Sequence, residues 1–297
     1  MKQSSRNMKM SKSVNSVMVI GYGTMGRGIL ETFAKNGFEA AVLTRDPSRI
    51  KDLPAGADAY SELPDMAPDL IIESIPEDMT LKHGLLQRLE DKYGDHPVYG
   101  TNTSGLPIET VAEPLRHKDR FIAIHYMQPA EAFPLVEICR LPETTDLVTD
   151  LTIEALSRSG KDAIVLNRPI PGFLINRLQH ALLHEAYCMI EDGVVSVEDV
   201  DKFAREAFGP RMCVTGLIQQ KDLSGIDVNA AAQRSIVPSL YHSGVPCQML
   251  QDMAARGDLG VKTGKGFYDW SGKDVEAFKQ MAAAKLERLW VALEDDE

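Results

Sequence analysis

Cysteine is sparse and scattered in this chain of 297 residues. Cys139, Cys188, Cys213 and Cys247 form no C-x-x-C pair and no Cys/His cluster. That pattern speaks against a disulfide framework or a metal site and predicts a reducing, cytoplasmic setting. No apolar run is long enough to cross a bilayer. Basic charge is also short. Lys and Arg total 32 against 43 Asp and Glu, a formal net charge of −11, which argues against nucleic acid or an anionic membrane as partner. No internal repeat is visible. Residues 1–15 are polar and lack the apolar core of a secretory signal, so they are expected to be a disordered tail. The terminal Glu294-Asp-Asp-Glu297 reads as a frayed acidic end. The remainder is an ordinary globular composition, long enough for two domains.

The chain is organised around residues 17–28, Val-Met-Val-Ile-Gly-Tyr-Gly-Thr-Met-Gly-Arg-Gly. The apolar run Val17–Ile20 predicts a buried strand and the pattern after it a helix through about Lys35, with Gly21-x-Gly23-x-x-Gly26 between them. Gly21 allows the tight turn, Gly23 lets backbone approach a pyrophosphate, and Gly26 lets the helix pack against the sheet. Thr24 and Met25 open a helix whose free N–H groups and positive end favour phosphate. Further strands are predicted at Glu39–Leu43, Asp69–Ser74, Val98–Thr101, Phe121–His125, Leu135–Glu137 and Asp162–Leu166. Helices are predicted at Met79–Tyr93 and Thr144–Ser159. This alternation predicts an α/β, doubly wound, largely parallel Rossmann sheet over 16–168. From about 169 the periodicity is helical almost throughout, which predicts an all-helical second domain over 169–297 that serves dimerisation and substrate binding. Such domains commonly pack against a twin, so a homodimer is expected.

A Rossmann domain implies a cofactor but no reaction. An acid often ends the second strand to bind the ribose 2′-hydroxyl. Here that position is Thr44, followed by Arg45 and Asp46. Asp46 is near enough to substitute, while arginine suits a 2′-phosphate, so these residues leave NAD and NADP both open. Polar residues at strand ends carry more weight for chemistry, because ligands bind there. Ser104, His125 and Glu137 hold such positions. A lone histidine after Phe-Ile-Ala-Ile is by itself more often structural. Glu137, inside Leu-Val-Glu-Ile-Cys, changes that balance. A carboxylate in an apolar strand needs a partner, and a His–Glu pair makes a general base. Asn176 opens a helix after Pro-Gly-Phe, where its amide either faces the same cleft or caps the helix. For a substrate carboxylate, Arg211 and Arg177 are the candidates, although each is more often a surface or structural arginine; Gln128 is a further candidate substrate residue.

Several motifs, in order, resemble the short-chain L-3-hydroxyacyl-CoA dehydrogenase family over roughly residues 15 to 272. These are the glycine loop, Asp69-Leu-Ile-Ile-Glu-Ser-Ile-Pro-Glu77, Thr101-Asn-Thr-Ser104, Arg120-Phe with His125-Tyr-Met-Gln-Pro129, Leu135-Val-Glu137, Pro171-Gly-Phe-Leu-Ile-Asn-Arg177 and Lys262-Thr-Gly-Lys-Gly-Phe-Tyr268. The resemblance implies a catalytic His125–Glu137 pair, with Ser104 and Asn176 on the substrate oxygen. It also implies NAD as cofactor, with Glu77, Lys82, Asn102, Ser104 and Lys262 near it.

Three departures stand out. Gln128 replaces the family's usual Asn, and Gly216-Leu217 replaces a glycine-proline pair. Only about 25 residues separate Thr44 from Asp69, where the family usually carries a helical hairpin that helps bind CoA. Loss of that arm points away from CoA thioesters. The chain is similar to a compact, CoA-independent member that oxidises a small pyridine aldehyde-carboxylate in vitamin B6 breakdown. The resemblance therefore implies NAD-dependent oxidation of such a small-molecule substrate, with aldehyde dismutation conceivable. A 3-hydroxyacyl-CoA dehydrogenase with a shortened CoA site is the alternative. A non-catalytic, crystallin-like dinucleotide-binding protein is a third reading.

Overall fold

A computed structural model of the protein describes residues 13–294. Its eight strands are β1 Ser16–Ile20, β2 Glu39–Leu43, β3 Asp58–Tyr60, β4 Leu70–Glu73, β5 Val98–Thr101, β6 Phe121–Tyr126, β7 Leu135–Arg140 and β8 Asp162–Leu166. They form a single sheet in the order β3-β2-β1-β4-β5-β6-β7-β8. The first six lie parallel, β7 runs antiparallel to β6, and β8 is parallel to β7. The order reverses between β1 and β4, which makes the carboxyl end of β1 the crevice where such sheets bind ligands.

The alternation along β1 decides the two layers. Val17 and Val19 join a core with Ile29, Leu30 and Phe33 of α1 (Thr24–Lys35). Met18 and Ile20 face the opposite core with Leu85, Leu86 and Leu89 of α2 (Met79–Tyr93). Asp78 accepts from the N–H of Leu81 at 3.0 Å to cap α2. A short α3 (Ile108–Val111) follows β5, and α4 (Asp146–Arg158) is capped by Thr145.

Three differences from the sequence expectation have local causes. β3 was not expected, since three residues among turn-formers carry no period, yet it pairs with β2 at the sheet edge. The β6–β7 hairpin extends to Tyr126 and Arg140 because pairing runs from Ile122↔Arg140 to Tyr126↔Val136. The tail expected over 1–15 falls mostly outside the described residues, but its last residues are ordered. Val14 is buried, and the Asn15 N–H donates to Asp69 Oδ2 at 2.8 Å. The frayed end expected at 294–297 lies outside the described residues beyond Glu294, which closes a helix.

Two compact units divide between Arg177 and Leu178. The sequence character changes earlier, at about 168. The intervening stretch stays with the sheet because the N–H groups of Leu174 and Ile175 bond to Glu137. Helix α5 (Ile175–Glu191) begins in the first unit and ends in the second. The second unit holds α6 (Val197–Phe203), α7 (Gly209–Thr215), α8 (Gln219–Ser224), α9 (Ile226–Ile236), α10 (Gln248–Arg256) and α11 (Val275–Glu294), with a π turn at Ala204–Phe208 joining α6 to α7. Phe267 of the Lys262–Tyr268 segment stacks on Tyr187 at 5.7 Å, and Tyr268 Oη donates to Asp201 at 2.8 Å. No helix among the described residues is long and apolar enough to cross a membrane.

Gly100 of β5 tests the packing between strands. A Cβ there would lie 2.8 Å from Ile124 Cδ1 and 2.9 Å from the Ile71 carbonyl oxygen. The oxygen belongs to backbone and cannot yield as a side chain does. Gly100→Ala is therefore expected to lower the unfolding free energy by about 1–3 kcal/mol. The measurement is a urea midpoint that falls while the m-value holds.

Candidate active site

The glycine loop lies at the carboxyl end of β1. Gly21 adopts φ 101°, and a Cβ there would stand 2.6 Å from the Ser74 carbonyl oxygen. At Gly26 a Cβ would come within 2.0 Å of the Gly21 carbonyl oxygen, and Val19 lies farther off at 3.5 Å. The primary task of Gly26 is therefore to let the loop fold back on itself, with helix–sheet packing second. The space over Gly23 is open, and a Cβ there would meet nothing within 4 Å. Gly23 precedes α1 without a side-chain cap, and no acid occupies the first turn, where Thr24 and Met25 sit. The result is a backbone cradle with uncapped N–H groups, and it fits a dinucleotide pyrophosphate. Beside it lie cavities of about 420 Å³ and about 450 Å³, the first lined by Tyr22, Thr44, Arg45, Asp46, Arg49 and Ile50.

The polar dyad depends on the antiparallel step in the sheet. The β6–β7 register sets His125 directly opposite Glu137, so their side chains share one face. His125 Nδ1 lies 2.8 Å from Glu137 Oε2, and both side chains are buried. With Nδ1–H donated to the carboxylate, Nε2 carries the lone pair and faces the Ser104 hydroxyl at 3.2 Å. Glu137 Oε1 accepts from the N–H groups of Leu174 and Ile175 at 2.9 and 2.8 Å. Phe173 turns the chain toward these contacts. Among the described residues it is the non-glycine residue with positive φ, at 52°, and its ring stacks on the imidazole at 4.7 Å. A bulky residue in the left-handed region costs energy and persists when its surroundings demand it. Sequence reasoning missed Phe173. The available signal was Glu137 itself, a buried carboxylate with more acceptor sites than one histidine fills.

Ser104 is held by a second carboxylate. Its N–H donates to Glu77 Oε1 at 2.7 Å, and the Thr103 hydroxyl donates to the same group at 2.9 Å. Lys82 lies 3.5 Å from Glu77 but 2.6 Å from Glu73, with which it forms a fully buried pair. Glu73 also accepts from the Thr101 hydroxyl and the Ile75 N–H. The Lys82 ammonium thus reaches the site through Glu77, since the lysine side chain is buried. Asn102 ties β4 to β6. Its amide donates to Ser74 Oγ at 3.3 Å and its oxygen accepts from the Tyr126 N–H at 2.9 Å.

Other expected residues are placed less tightly. Asn176 is half-buried in the first turn of α5, and no hydrogen bond joins its amide to the dyad among the described residues. Gln128 is exposed just beyond β6, next to the cis Gln128–Pro129 bond. Two residues belong to the second unit. Lys262 is exposed in the turn closed by the Gly260↔Lys265 bridge, and Arg211 faces the Gln220 side-chain amide.

An open α/β sheet with a glycine cradle at its switch point and a buried His–Glu dyad nearby is the architecture of a dinucleotide-dependent oxidoreductase. Comparison with known proteins agrees. The 3-hydroxyacyl-CoA dehydrogenase, NAD binding domain, matches residues 16–63 and 57–169, and the 3-hydroxyacyl-CoA dehydrogenase, C-terminal domain, matches 172–270. The chain belongs to the 3-hydroxyacyl-CoA dehydrogenase family, and its cofactor is NAD. A 5-formyl-3-hydroxy-2-methylpyridine 4-carboxylate 5-dehydrogenase of Mesorhizobium japonicum is 26% identical over 298 residues, 92% of this chain and 96% of that one. A 3-hydroxybutyryl-CoA dehydrogenase of Clostridioides difficile is 30% identical over 282 residues, 85% of this chain and 98% of that one. Among solved structures, a 5-formyl-3-hydroxy-2-methylpyridine 4-carboxylic acid 5-dehydrogenase, described as an NAD+-dependent dismutase, shares the fold. Its TM-score is 0.88 at 23% identity, over 96% of this chain and 100% of that one. A 3-hydroxyacyl-CoA dehydrogenase from Archaeoglobus fulgidus has a TM-score of 0.69 at 28% identity, over 94% and 99% of the two chains.

The double anchorage of Glu137 sets an expectation. Glu137→Gln keeps the shape but removes the negative charge that faces His125 Nδ1. Turnover is expected to fall on the order of 10²–10⁴-fold, with NAD binding by calorimetry unchanged. Turnover within threefold of wild type would remove Glu137 from the chemistry.

Proposed function

We propose that the protein oxidises a small aromatic aldehyde-carboxylate, of the pyridine type handled by the Mesorhizobium relative, to the dicarboxylate. The observation that carries this reading is the short connection between β2 and β4. Residues 44–69 hold one 3₁₀ turn, Pro47–Arg49, and the short β3, and no longer helix. A CoA-binding helical hairpin has no counterpart there. The match to the family's NAD-binding domain also breaks into two segments that overlap at 57–63, inside this connection. The similarity to the pyridine-aldehyde dehydrogenase spans nearly the whole of both chains.

NAD, when bound, supplies the hydride acceptor. His125 Nε2 takes the proton from a hydroxyl of the aldehyde hydrate as the carbon is oxidised, so the hydrate loses one hydride and one proton and leaves as the acid. Glu137 holds the imidazole in the required tautomer and balances its charge. Ser104 and Asn176 orient the reacting oxygen. Run in reverse on a second aldehyde, the same proton path gives the alcohol, so dismutation follows without new residues. A thiohemiacetal route is disfavoured at Cys139, two residues past Glu137. Burial pushes its thiol up to about 12, and Glu109 and Glu137 add to the rise, so the thiol stays protonated at neutral pH. The protein is further proposed to act as a homodimer. Phe203, Val214, Ile218, Leu223, Ile226 and Phe278 of the second unit stand exposed, and apolar side chains in such number suit a matching copy.

The test is a parallel assay with the pyridine aldehyde plus NAD+ and with acetoacetyl-CoA plus NADH. Turnover of the aldehyde is expected, together with loss on the order of 10²–10⁴-fold in His125→Leu. Rapid NADH consumption by acetoacetyl-CoA, with no aldehyde turnover, would establish a 3-hydroxyacyl-CoA dehydrogenase instead. If neither substrate reacts and NAD still binds, the crystallin-like reading gains. Iodoacetamide at neutral pH provides an independent check. It is expected to label the exposed Cys213 and leave aldehyde turnover intact, whereas inactivation that tracks labelling of Cys139 would reinstate a thiol route.

A further inference from the structure

We propose that the ribose subsite at the end of β2 accepts a 2′-phosphate, so that the protein binds NADP as well as NAD. The inference concerns the cofactor's adenosine end and does not depend on which substrate is oxidised. The Gly21 N–H donates to the Leu43 carbonyl at 2.9 Å, which fixes the segment after β2 alongside the glycine cradle. A dinucleotide whose pyrophosphate lies on that cradle brings its adenosine ribose to this segment. The two cavities found there share Tyr22, Arg49 and Ile50, so they are neighbouring parts of one surface.

An NAD-restricted site places a free carboxylate here, which accepts from the ribose hydroxyls and repels a phosphate. This subsite has no such group among the described residues. Thr44 occupies the position directly after β2, its backbone N–H bonded to the Tyr60 carbonyl at 3.0 Å. Asp46 lines the first cavity, but its carboxylate is engaged within its own turn. It accepts from Ser48 N at 3.2 Å and Ser48 Oγ at 2.5 Å, and pairs with Arg49 Nε at 3.0 Å. Asp52 in the second cavity is bound to Arg27 Nη1 at 2.7 Å. The lining cations are Arg27, Arg45, Arg49 and Lys51, four against the two carboxylates Asp46 and Asp52. Arg45 and Lys51 have no carboxylate partner among the described residues.

A neutral ribose hydroxyl gives this surplus charge little to bind. A phosphate monoester brings about −1.5 to −2 charge and three acceptor oxygens, and a guanidinium meets it with two parallel N–H donors. Arg45 is thereby assigned to the 2′-phosphate, with the Thr44 hydroxyl as a further donor and Arg49 adding field. Asp46 keeps the turn in shape.

Calorimetric titration of the full chain with ADP-ribose and with 2′-phospho-ADP-ribose tests the proposal without any turnover. The phosphorylated ligand is expected to bind at least as tightly as ADP-ribose. Arg45→Ala is expected to weaken it by about tenfold or more, while ADP-ribose affinity stays within threefold and so reports that the site is folded. Thr44→Asp is expected to reverse the preference. A wild-type Kd for the phosphorylated ligand more than tenfold above that for ADP-ribose would overturn the proposal, as would an Arg45→Ala variant that weakens both ligands alike.

Discussion

Glu137 sits in the middle of a strand, almost wholly shielded from water, and the rest of the site follows from how that charge is held. An unpaired buried carboxylate would cost several kcal/mol. Here one oxygen takes the His125 ring and the other takes two N–H groups from the start of α5. Each contact has a structural consequence. The first fixes which imidazole nitrogen is free for chemistry. The second keeps residues 169–177 with the sheet and requires Phe173 to adopt a left-handed conformation. The stacked Phe173 ring then confines the imidazole from the side. A single buried charge thus links strand register, the end of the first unit and the orientation of the imidazole.

The cofactor end obeys a different constraint, set by backbone geometry instead of charge. Gly21 and Gly26 approach backbone oxygens so closely that no side chain fits, and the strand order reverses beside them. Between cradle and dyad lies the Glu73–Lys82–Glu77 network. Its buried ion pair contributes little net stability by itself, since desolvation offsets attraction. Its effect is positional, because Glu77 accepts from the Ser104 N–H and so sets the hydroxyl that faces the His125 imidazole. Lys82 and Asn102, both expected near the cofactor from sequence, also act as internal ties that hold loops at the strand ends.

Much of this was legible beforehand, for identifiable reasons. Helix α2 and the strands β2, β5 and β8, apolar segments bounded by turn-formers, appear within their expected limits. The glycine spacing marked the cradle because few other arrangements need those three positions. β3 was missed because three residues between turn-formers have no period to read. The full length of β7 was missed because Glu137 looked like its end, whereas cross-strand pairing carries it to Arg140.

The sequence by itself determined the class of fold, the glycine cradle and the requirement that Glu137 find a partner, because these rest on local pattern and on the cost of burying charge. It also exposed the shortened segment before β4, since chain length alone limits what can be built there. Tertiary structure decided the rest. That Asp46 is consumed by its own turn while Arg45 has no carboxylate partner among the described residues is a matter of where side chains point. That Glu137 meets His125 on one side and two backbone N–H groups on the other depends on register and on a chain reversal at Phe173. Residues far apart in sequence meet only when the sheet is assembled, and no spacing rule encodes that meeting.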